Sequence, residues 1–393
     1  MAKYLIHGLI LIGAAYFISC ESTSPNEDPE IISGLSLPSD PLNYSTTLPN
    51  HFLTNDGGPL PTRIQDHDNQ PTDNPTTDAG ATLGRVLFYD KNLSLNGTIS
   101  CGSCHSPALV FSDSSTFSIG FDGGETRRHS MSLIFARYYD RGRFFWDERA
   151  ETLEDQVLMP IQDEVEMGLT YDQIKERIEE QDFYPDLFEA AFGSPEITQE
   201  KAALALAQFV RSIVSVSSKY DEGRAQVNTI GDNFPNFTAQ ENLGKQLFLR
   251  PIINGGAACF GCHTTEAFIN PAPGATNNGL DEVTGSDAGV FETFDDQRFD
   301  AAFKVTSLRN IELSGPYMHD GRFETLEEVV EHYNSGIKDH PNLAPALTAP
   351  DGSPVRLNLT ETEVDAIVAF LKTLTDNTLA TDERWSDPFL FNE

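Results

Sequence analysis

The sequence predicts a mainly α protein whose two halves are related by internal duplication and connected by long irregular loops. The stretch LGRVLF at 83–88 is matched by LGKQLF at 243–248, and ETLE at 151–154 recurs at 324–327. Runs in which apolar and polar residues alternate, as they do in strands, are scarce. The repeated stretches and the shortage of strand patterns together indicate two similar helical units.

The helices of these units are marked by their start signals. Four Thr-x-x-Gln or Thr-x-x-Glu sequences begin at Thr170, Thr238, Thr325 and Thr360. In this capping box, side chains satisfy the free amides of a first helical turn. Apolar residues at 202–216 and 364–374 then recur with helical spacing. We therefore expect helices after each cap and across both apolar stretches.

Each half also carries one Cys-x-x-Cys-His sequence. The first comprises Cys101, Cys104 and His105, and the second comprises Cys259, Cys262 and His263. This is the attachment sequence of c-type haem, in which two thiols bind the porphyrin and the histidine ligates the iron. Zinc ribbons place their cysteine pairs only about 15–20 residues apart, so zinc fits less well. The halves are accordingly predicted to be cytochrome c-like haem domains holding two covalent haem c groups.

The duplicated part predicts a first haem domain at 80–235 and a second at 236–393, whose last helix is a candidate to pack back on the first. Residues 20–79 are rich in Pro, Asn, Asp, Thr and Ser. They are predicted to be a flexible tether followed by irregular structure. His51 and His67 within this segment are expected to be solvated.

The beginning of the chain predicts export. Residues 1–19 contain Lys3 and an apolar run too short to span a membrane, which is typical of a signal peptide. Phe17-Ile-Ser-Cys20 is similar to a lipoprotein cleavage box, although a leucine is usual at its first position. We expect Cys20 to be lipidated, with an ordinary signal peptide as the alternative. The expected location is the periplasm or cell surface, anchored to the membrane.

The net charge is −34, from 26 basic and 60 acidic residues. Nucleic acid is excluded as a partner, because phosphate binding requires a basic surface. The charge is compatible with a basic electron-donor protein steered by the field, and equally with plain solubility.

Several segments resemble a known family. The matching segments, with the two haem motifs, run in order from residue 83 to 374: FSIG at 117–120, residues 127–133, GRFFWD at 142–147, PIQ at 160–162, VEMG at 165–168, LRNI at 308–311 and PYMHDG at 316–321. They resemble the bacterial di-haem cytochrome c peroxidases, whose superfamily includes the methylamine-utilisation enzyme MauG.

The resemblance implies roles for individual residues. The first haem would be the peroxidatic one and the second would supply an electron. Glu166 matches the distal glutamate that moves the peroxide proton, and Gln156 matches a residue that orients peroxide. Trp146 matches the tryptophan between the haems. The alternatives are a solvated acidic helix for Glu166 and Gln156 and simple core packing for Trp146.

The first departure from the family pattern concerns the peroxidatic haem. Where the family has a blocking histidine this chain has Phe121, so the first iron is predicted to be constitutively five-coordinate. His129 replaces an asparagine that helps to bind calcium and is an alternative sixth ligand. Ser314 and Pro316 match the other calcium positions, so one calcium ion remains a candidate cofactor.

The second departure concerns the other haem. The family's methionine ligand is replaced by Tyr333, as in MauG, and a phenolate lowers the iron potential whereas a methionine raises it. Tyr333 is the predicted distal ligand, with His332 as the alternative and Met318 ranked last. His319 is expected in the pocket, near a propionate.

Three functions follow from these observations. The leading one is a cytochrome-c peroxidase that reduces hydrogen peroxide to water with electrons from a small cytochrome or cupredoxin. The alternatives are a MauG-like enzyme that oxidises a protein or organic substrate through a bis-ferryl state, and a non-catalytic di-haem electron carrier. The family resemblance also leaves a homodimer open.

Overall fold

The computed structural model describes residues 34–57, 62–139, 141–269 and 274–389. Within these ranges the chain is mainly helical, with short 3₁₀ turns and long irregular connections and little sheet. The mainly α prediction with irregular loops is confirmed.

The helices and strands are as follows: α1 Asn50–Leu53, α2 Asp78–Tyr89, α3 Cys101–Cys104, α4 Leu153–Gln156, α5 Met159–Gln162, α6 Tyr171–Glu179, α7 Tyr184–Phe192, α8 Gln199–Ser212, α9 Lys219–Arg224, α10 Ala239–Leu249, β1 Ala275–Thr276, α11 Phe291–Phe294, β2 Phe303–Lys304, α12 Leu326–Glu331 and α13 Glu361–Lys372.

All four predicted capping boxes are present. Thr170, Thr238, Thr325 and Thr360 each accept the amide of the third helical residue, whose side chain accepts the amide of the threonine. Because two free amides are satisfied at each start, helices α6, α10, α12 and α13 begin where the sequence predicts.

Two helix pairs form the cores. Helix α2 packs on α8 in the first half, and α10 packs on α13 in the second. Each pair approaches closely at the glycine of its repeated Leu-Gly sequence. A Cβ atom on Gly84 would lie 2.0 Å from the carbonyl oxygen of Ala205, and one on Gly244 would lie 1.8 Å from that of Ala366. The glycines thus allow contacts that no other residue permits.

The segment before α2 is irregular, as predicted, but its described part packs against the rest of the chain. Tyr44, Phe52 and Ile64 join the first core. The prediction that His51 is solvated is wrong. Its ring is 6 % exposed and its Nε2 lies 3.3 Å from Asp221 Oδ1. The segment is mostly polar, so its composition did not indicate that a few apolar residues attach it to the first core.

The end of the described chain lies on the first half. Trp385 and Phe389 belong to the first core, and Trp385 Nε1 donates to Ser212 Oγ at 3.4 Å. The carbonyl of Trp385 accepts the hydroxyl of Tyr89 at 2.5 Å, and the carbonyl of Glu383 accepts Arg85 at 2.6 Å. These contacts are made by a 3₁₀ turn, Glu383–Trp385, rather than by a helix. The domain limits at residues 235 and 236 remain a prediction.

No helix among residues 34–57, 62–139, 141–269 and 274–389 has the length and apolar character needed to cross a bilayer. The predicted signal peptide at 1–19 and Cys20 lie outside the described residues.

Replacing Gly84 with alanine should destabilise the protein by about 1–3 kcal/mol, because the new methyl group would overlap the Ala205 carbonyl. Chemical denaturation of the haem-loaded protein measures the change in the free energy of unfolding. The matched control is Gly285→Ala, since a Cβ atom there would meet nothing within 4 Å. Equal stability of the two variants would show that the helix crossing tolerates a wider spacing.

Candidate functional site

The first attachment sequence lies on helix α3 and ends at its C-cap, His105. Val110 and Phe111 both take left-handed backbone conformations, with φ of 58°. Their turn brings the Phe111 carbonyl to 2.8 Å from His105 Nδ1. Because that nitrogen must carry the hydrogen of this bond, Nε2 is the free ligand atom.

The second attachment sequence repeats this arrangement on a different local backbone. Residues Cys259–Gly261 form a 3₁₀ turn, and Phe268 is left-handed with φ of 51°. His263 Nδ1 lies 3.2 Å from the Phe268 carbonyl oxygen. Burial lowers the pKa of His263 to about 4 and also lowers that of His105. Both imidazoles are therefore kept neutral, as metal ligation requires.

The surrounding space fits one haem at each motif. His105 lines a cavity of about 810 Å³ and a small adjoining one that also contains Cys101 and Cys104. His263 lines a second cavity, of about 290 Å³, together with Cys259 and Cys262. A pair of cysteines beside a neutral histidine at the wall of a cavity is the donor set that covalent haem requires.

The first cavity contains the predicted proton-transfer residue and the predicted peroxide-orienting residue. Glu166 and Gln156 both line it, with His105. Burial, reinforced by the nearby charge of Asp163, raises the pKa of Glu166 to about 7, against the opposing effect of Arg149. Asp163 Oδ1 also accepts the amides of Val165 at 2.8 Å and Glu166 at 3.2 Å. Burial is thus the main cause of the raised pKa of Glu166, and the Asp163 carboxylate adds to it while also fixing the Glu166 backbone.

Phe121 packs beside this cavity rather than into it. Its amide donates to the Glu166 carbonyl at 3.0 Å, and its own carbonyl accepts Asn96 Nδ2 at 2.7 Å. The ring lies against Gly168, where a Cβ atom would be 2.5 Å from it. Phe121 therefore supports the loop that carries Glu166.

His129 lines the first cavity, but both of its ring nitrogens are engaged. Nδ1 lies 3.0 Å from the Ser115 carbonyl oxygen, and Nε2 lies 3.2 Å from Ser112 Oγ. Ligation of iron through His129 Nε2 would require the contact with Ser112 Oγ to break. This arrangement disfavours the alternative sixth ligand.

Trp146 lies between the two sites and lines both cavities. Its Nε1 donates to the His129 carbonyl at 2.8 Å. The ring meets His319 edge-on, with centroids 6.5 Å apart, and His319 stacks on Phe303 at 3.6 Å in the second cavity. The indole is thus fixed in the wall between the haem sites.

Lys304, which sequence reasoning missed, also lines both cavities. In the antiparallel pairing of β1 with β2 it lies opposite Ala275, and its amide donates to the Trp146 carbonyl at 2.9 Å. Its Nζ lies 4.0 Å from the ring centroid of Tyr139. Burial lowers the pKa of Lys304 to about 7, with Glu148 opposing this effect. Nothing in the local sequence distinguishes this lysine from a solvated one.

The second cavity contains two of the three predicted ligands. Tyr333 and Met318 line it, whereas His332 does not and instead places its Nε2 3.1 Å from the Asn278 carbonyl oxygen. Burial raises the pKa of Tyr333 to about 12. Its hydroxyl accepts Asn278 Nδ2 at 3.3 Å. The arrangement favours Tyr333 over His332.

A buried charge cluster, also missed, supports the loop around His263. The guanidinium of Arg309 donates to the Glu266 carbonyl at 2.7 Å and to Asp221 at 2.9 Å. It also lies 5.3 Å from the ring centroid of Phe268, whose carbonyl holds His263. Although burial opposes it, Arg309 lowers the pKa of Asp221 to about 2. The contacts join residues distant in sequence, so no local pattern indicates them.

The candidate calcium positions offer few ligands. His129 is engaged as described, and the Ser314 hydroxyl points to the Ile311 carbonyl at 3.4 Å. Among the residues that the structure describes, no cluster of three or more His, Cys, Asp or Glu side chains is arranged to hold a metal. Calcium at Ser314 and Pro316 remains a prediction.

The chain is similar to known proteins. Residues 78–228 match the family described as di-haem cytochrome c peroxidase. The methylamine utilization protein MauG of Methylorubrum extorquens is 34% identical over 305 residues, which cover 77% of this chain and 80% of that protein. Cytochrome c551 peroxidase of Nitrosomonas europaea is 33% identical, covering 75% of this chain and 79% of that protein.

A solved structure shows the same fold. A MauG-like protein associated with microbial copper homeostasis superposes with a TM-score of 0.68 at 32% identity, covering 87% of this chain and 98% of that chain.

Asp163→Asn should lower the pKa of Glu166 while leaving it above the ordinary glutamate value. The amide keeps an oxygen that accepts the two backbone amides but removes the negative charge, and burial remains. The measurement is an infrared titration of the carboxyl band that disappears in Glu166→Gln. Asp172→Asn, on the exposed first turn of α6, serves as the control. An unshifted titration in Asp163→Asn would mean that its charge does not act on Glu166.

Proposed function

This chain belongs to the di-haem cytochrome c peroxidase and MauG family, and within it we propose that the chain reduces hydrogen peroxide to water with electrons from a small donor protein. The family's activity is that of a peroxidase oxidoreductase with two haem groups. The finer proposal rests on one observation. Glu166, whose pKa is raised to about 7, lines the same cavity as His105.

Glu166 is suited to move the peroxide proton. When bound at His105, haem supplies the iron that binds peroxide and passes electrons to it. The Glu166 carboxylate takes the proton from the inner peroxide oxygen and returns it to the outer one, which leaves as water. Gln156 orients the peroxide by hydrogen bonding. Two electrons and two further protons complete the formation of two water molecules.

Trp146 occupies the wall between the two sites, where its indole would provide a path for electrons between haem groups held at His263 and His105. Its indole lines both cavities and is held by the His129 carbonyl. The net charge of −34 favours a basic cytochrome or cupredoxin as the donor.

The proposed location of the protein is outside the cytoplasm. The family is typically periplasmic. We further propose that lipidated Cys20 anchors this chain to a membrane. We also propose that one calcium ion binds near Ser314 and Pro316. A homodimer is proposed as the oligomeric state.

A MauG-like oxidation of a protein or organic substrate is the second candidate function. The observation that favours it is Tyr333 in the second cavity, because a phenolate ligand stabilises oxidised iron. Stopped-flow mixing of the haem-loaded protein with peroxide and reduced cytochrome c separates the two candidates. Rapid repeated turnover supports the peroxidase, whereas slow consumption with a long-lived oxidised spectrum supports the second candidate.

Glu166→Gln should slow the reaction with peroxide by roughly 10²–10⁴-fold, the usual contribution of a general acid–base group. The wild-type rate should rise as the pH increases through about 7, because the reactive form of Glu166 is the carboxylate. This rise should disappear in the variant. Stopped-flow spectroscopy across pH measures both effects, with Glu164→Gln as the exposed neighbouring control. An unchanged rate would remove Glu166 from the mechanism.

Phe121→His should convert the first haem to a low-spin state and make peroxide reduction depend on prior reduction of the second haem. Residue 121 lies beside the first cavity, and its amide is bonded to the carbonyl of Glu166, which lines that cavity. Electron paramagnetic resonance of the oxidised protein counts the high-spin and low-spin irons. Phe121→Leu is the control and should stay high spin. A high-spin Phe121→His protein would contradict the positional match of this loop.

A further inference from the structure

Met318 and Tyr333 in the second cavity each carry a group that can ligate haem iron. The side-chain amide of Asn278 contacts both. Asn278 Nδ2 lies 3.5 Å from Met318 Sδ and 3.3 Å from the Tyr333 hydroxyl. Met318, Tyr333 and His263 all line this cavity. A thioether and a phenol are thus kept side by side in the space that contains the histidine ligand.

The backbone at Met318 is unusual. Its φ is +75°, in the left-handed region that non-glycine residues rarely adopt. Such conformations persist where the surroundings impose them, and they cluster at ligand clamps and switch regions. The Met318 side chain is therefore held in the cavity by its surroundings against its own backbone preference.

Tyr333 also lies on an irregular backbone. Helix α12 ends at Glu331 and continues as a π-helical turn, His332–Gly336, that carries Tyr333. Single π turns are rare and recur at functional sites. The adjacent His332 bonds to the Asn278 carbonyl, so Asn278 fixes this turn through its backbone and contacts the phenol through its side chain.

We propose that the second haem exchanges its distal ligand with oxidation state, using Tyr333 when the iron is ferric and Met318 when it is ferrous, with Asn278 holding the ligand that is released. Hard phenolate oxygen stabilises ferric iron, and soft thioether sulfur stabilises ferrous iron. The proposal rests on the proposed di-haem function, since it assigns the ligands of that haem.

The exchange is balanced by one electron and one proton. The donor protein gives one electron, which reduces the ferric iron to ferrous iron. The iron–oxygen bond breaks, the phenolate takes one proton from solvent, and the Met318 sulfur donates a lone pair to form an iron–sulfur bond. Oxidation reverses each step. A reduced haem with a thioether ligand would hold its electron at a higher potential, and the oxidised haem would be stabilised by the phenolate.

The first test follows the methionine methyl groups by NMR. The chain contains five methionines, and a methyl group ligated to ferrous low-spin haem is shifted strongly upfield. Protein labelled with ¹³C at these methyls should show one such signal after reduction by dithionite. Met318→Leu should lose it, and Met159→Leu, at an exposed site in α5, should keep it. An upfield signal that survives in Met318→Leu, or none in the wild type, would overturn the proposal.

The second test measures the midpoint potential of the second haem in three proteins. Met318→Leu should lower the potential, because the ferrous form loses its thioether, and Tyr333→Phe should raise it, because the ferric form loses its phenolate. The wild-type value should lie between them. A potential unchanged by Met318→Leu would leave Tyr333 as the sole distal ligand. Neither test uses peroxide, so failure of the exchange is distinguishable from failure of the peroxidase function.

Discussion

The two haem sites depend on one repeated hydrogen bond, from the Nδ1 of each attachment histidine to a carbonyl of the loop that follows. His105 is held by Phe111 and His263 by Phe268. Both carbonyls come from left-handed residues, so each loop must fold back tightly toward its histidine. This bond selects the neutral tautomer and orients Nε2 into the cavity. Without it, the thiols would hold a porphyrin whose iron lacked a fixed ligand.

The two sites share this attachment unit and differ in what lines the rest of each cavity. The first presents Glu166 and Gln156, groups that exchange protons and donate hydrogen bonds. The second presents Tyr333 and Met318, groups that bind metal. Trp146 and Lys304 line both cavities. A change in charge in either cavity therefore acts on the same two side chains. The two haem sites therefore differ in the chemistry of a few side chains that line their cavities, while the attachment of the histidine is the same in both.

The sequence predicted the parts of this arrangement that short patterns encode. Four threonine caps and the helical stretches depend on residues within a few positions of one another, and these were confirmed. The assignment of the individual residues of the two attachment motifs to haem stays a prediction. It failed where contacts join distant segments. His51 was assigned to solvent although it lies against Asp221. The burial of Lys304 and Arg309 was not predicted, because it depends on partners far away in the chain.

The packing of Trp385 and Phe389 on the first half has a consequence for how that half closes. Tyr89 and Trp385, whose contact completes the core of α2 and α8, are 296 residues apart in the sequence. Bringing two such distant segments together carries an entropic cost that grows with the length of the intervening chain. The core beside Cys101 and Cys104 therefore reaches its full packing only when the segment around Trp385 has docked on it.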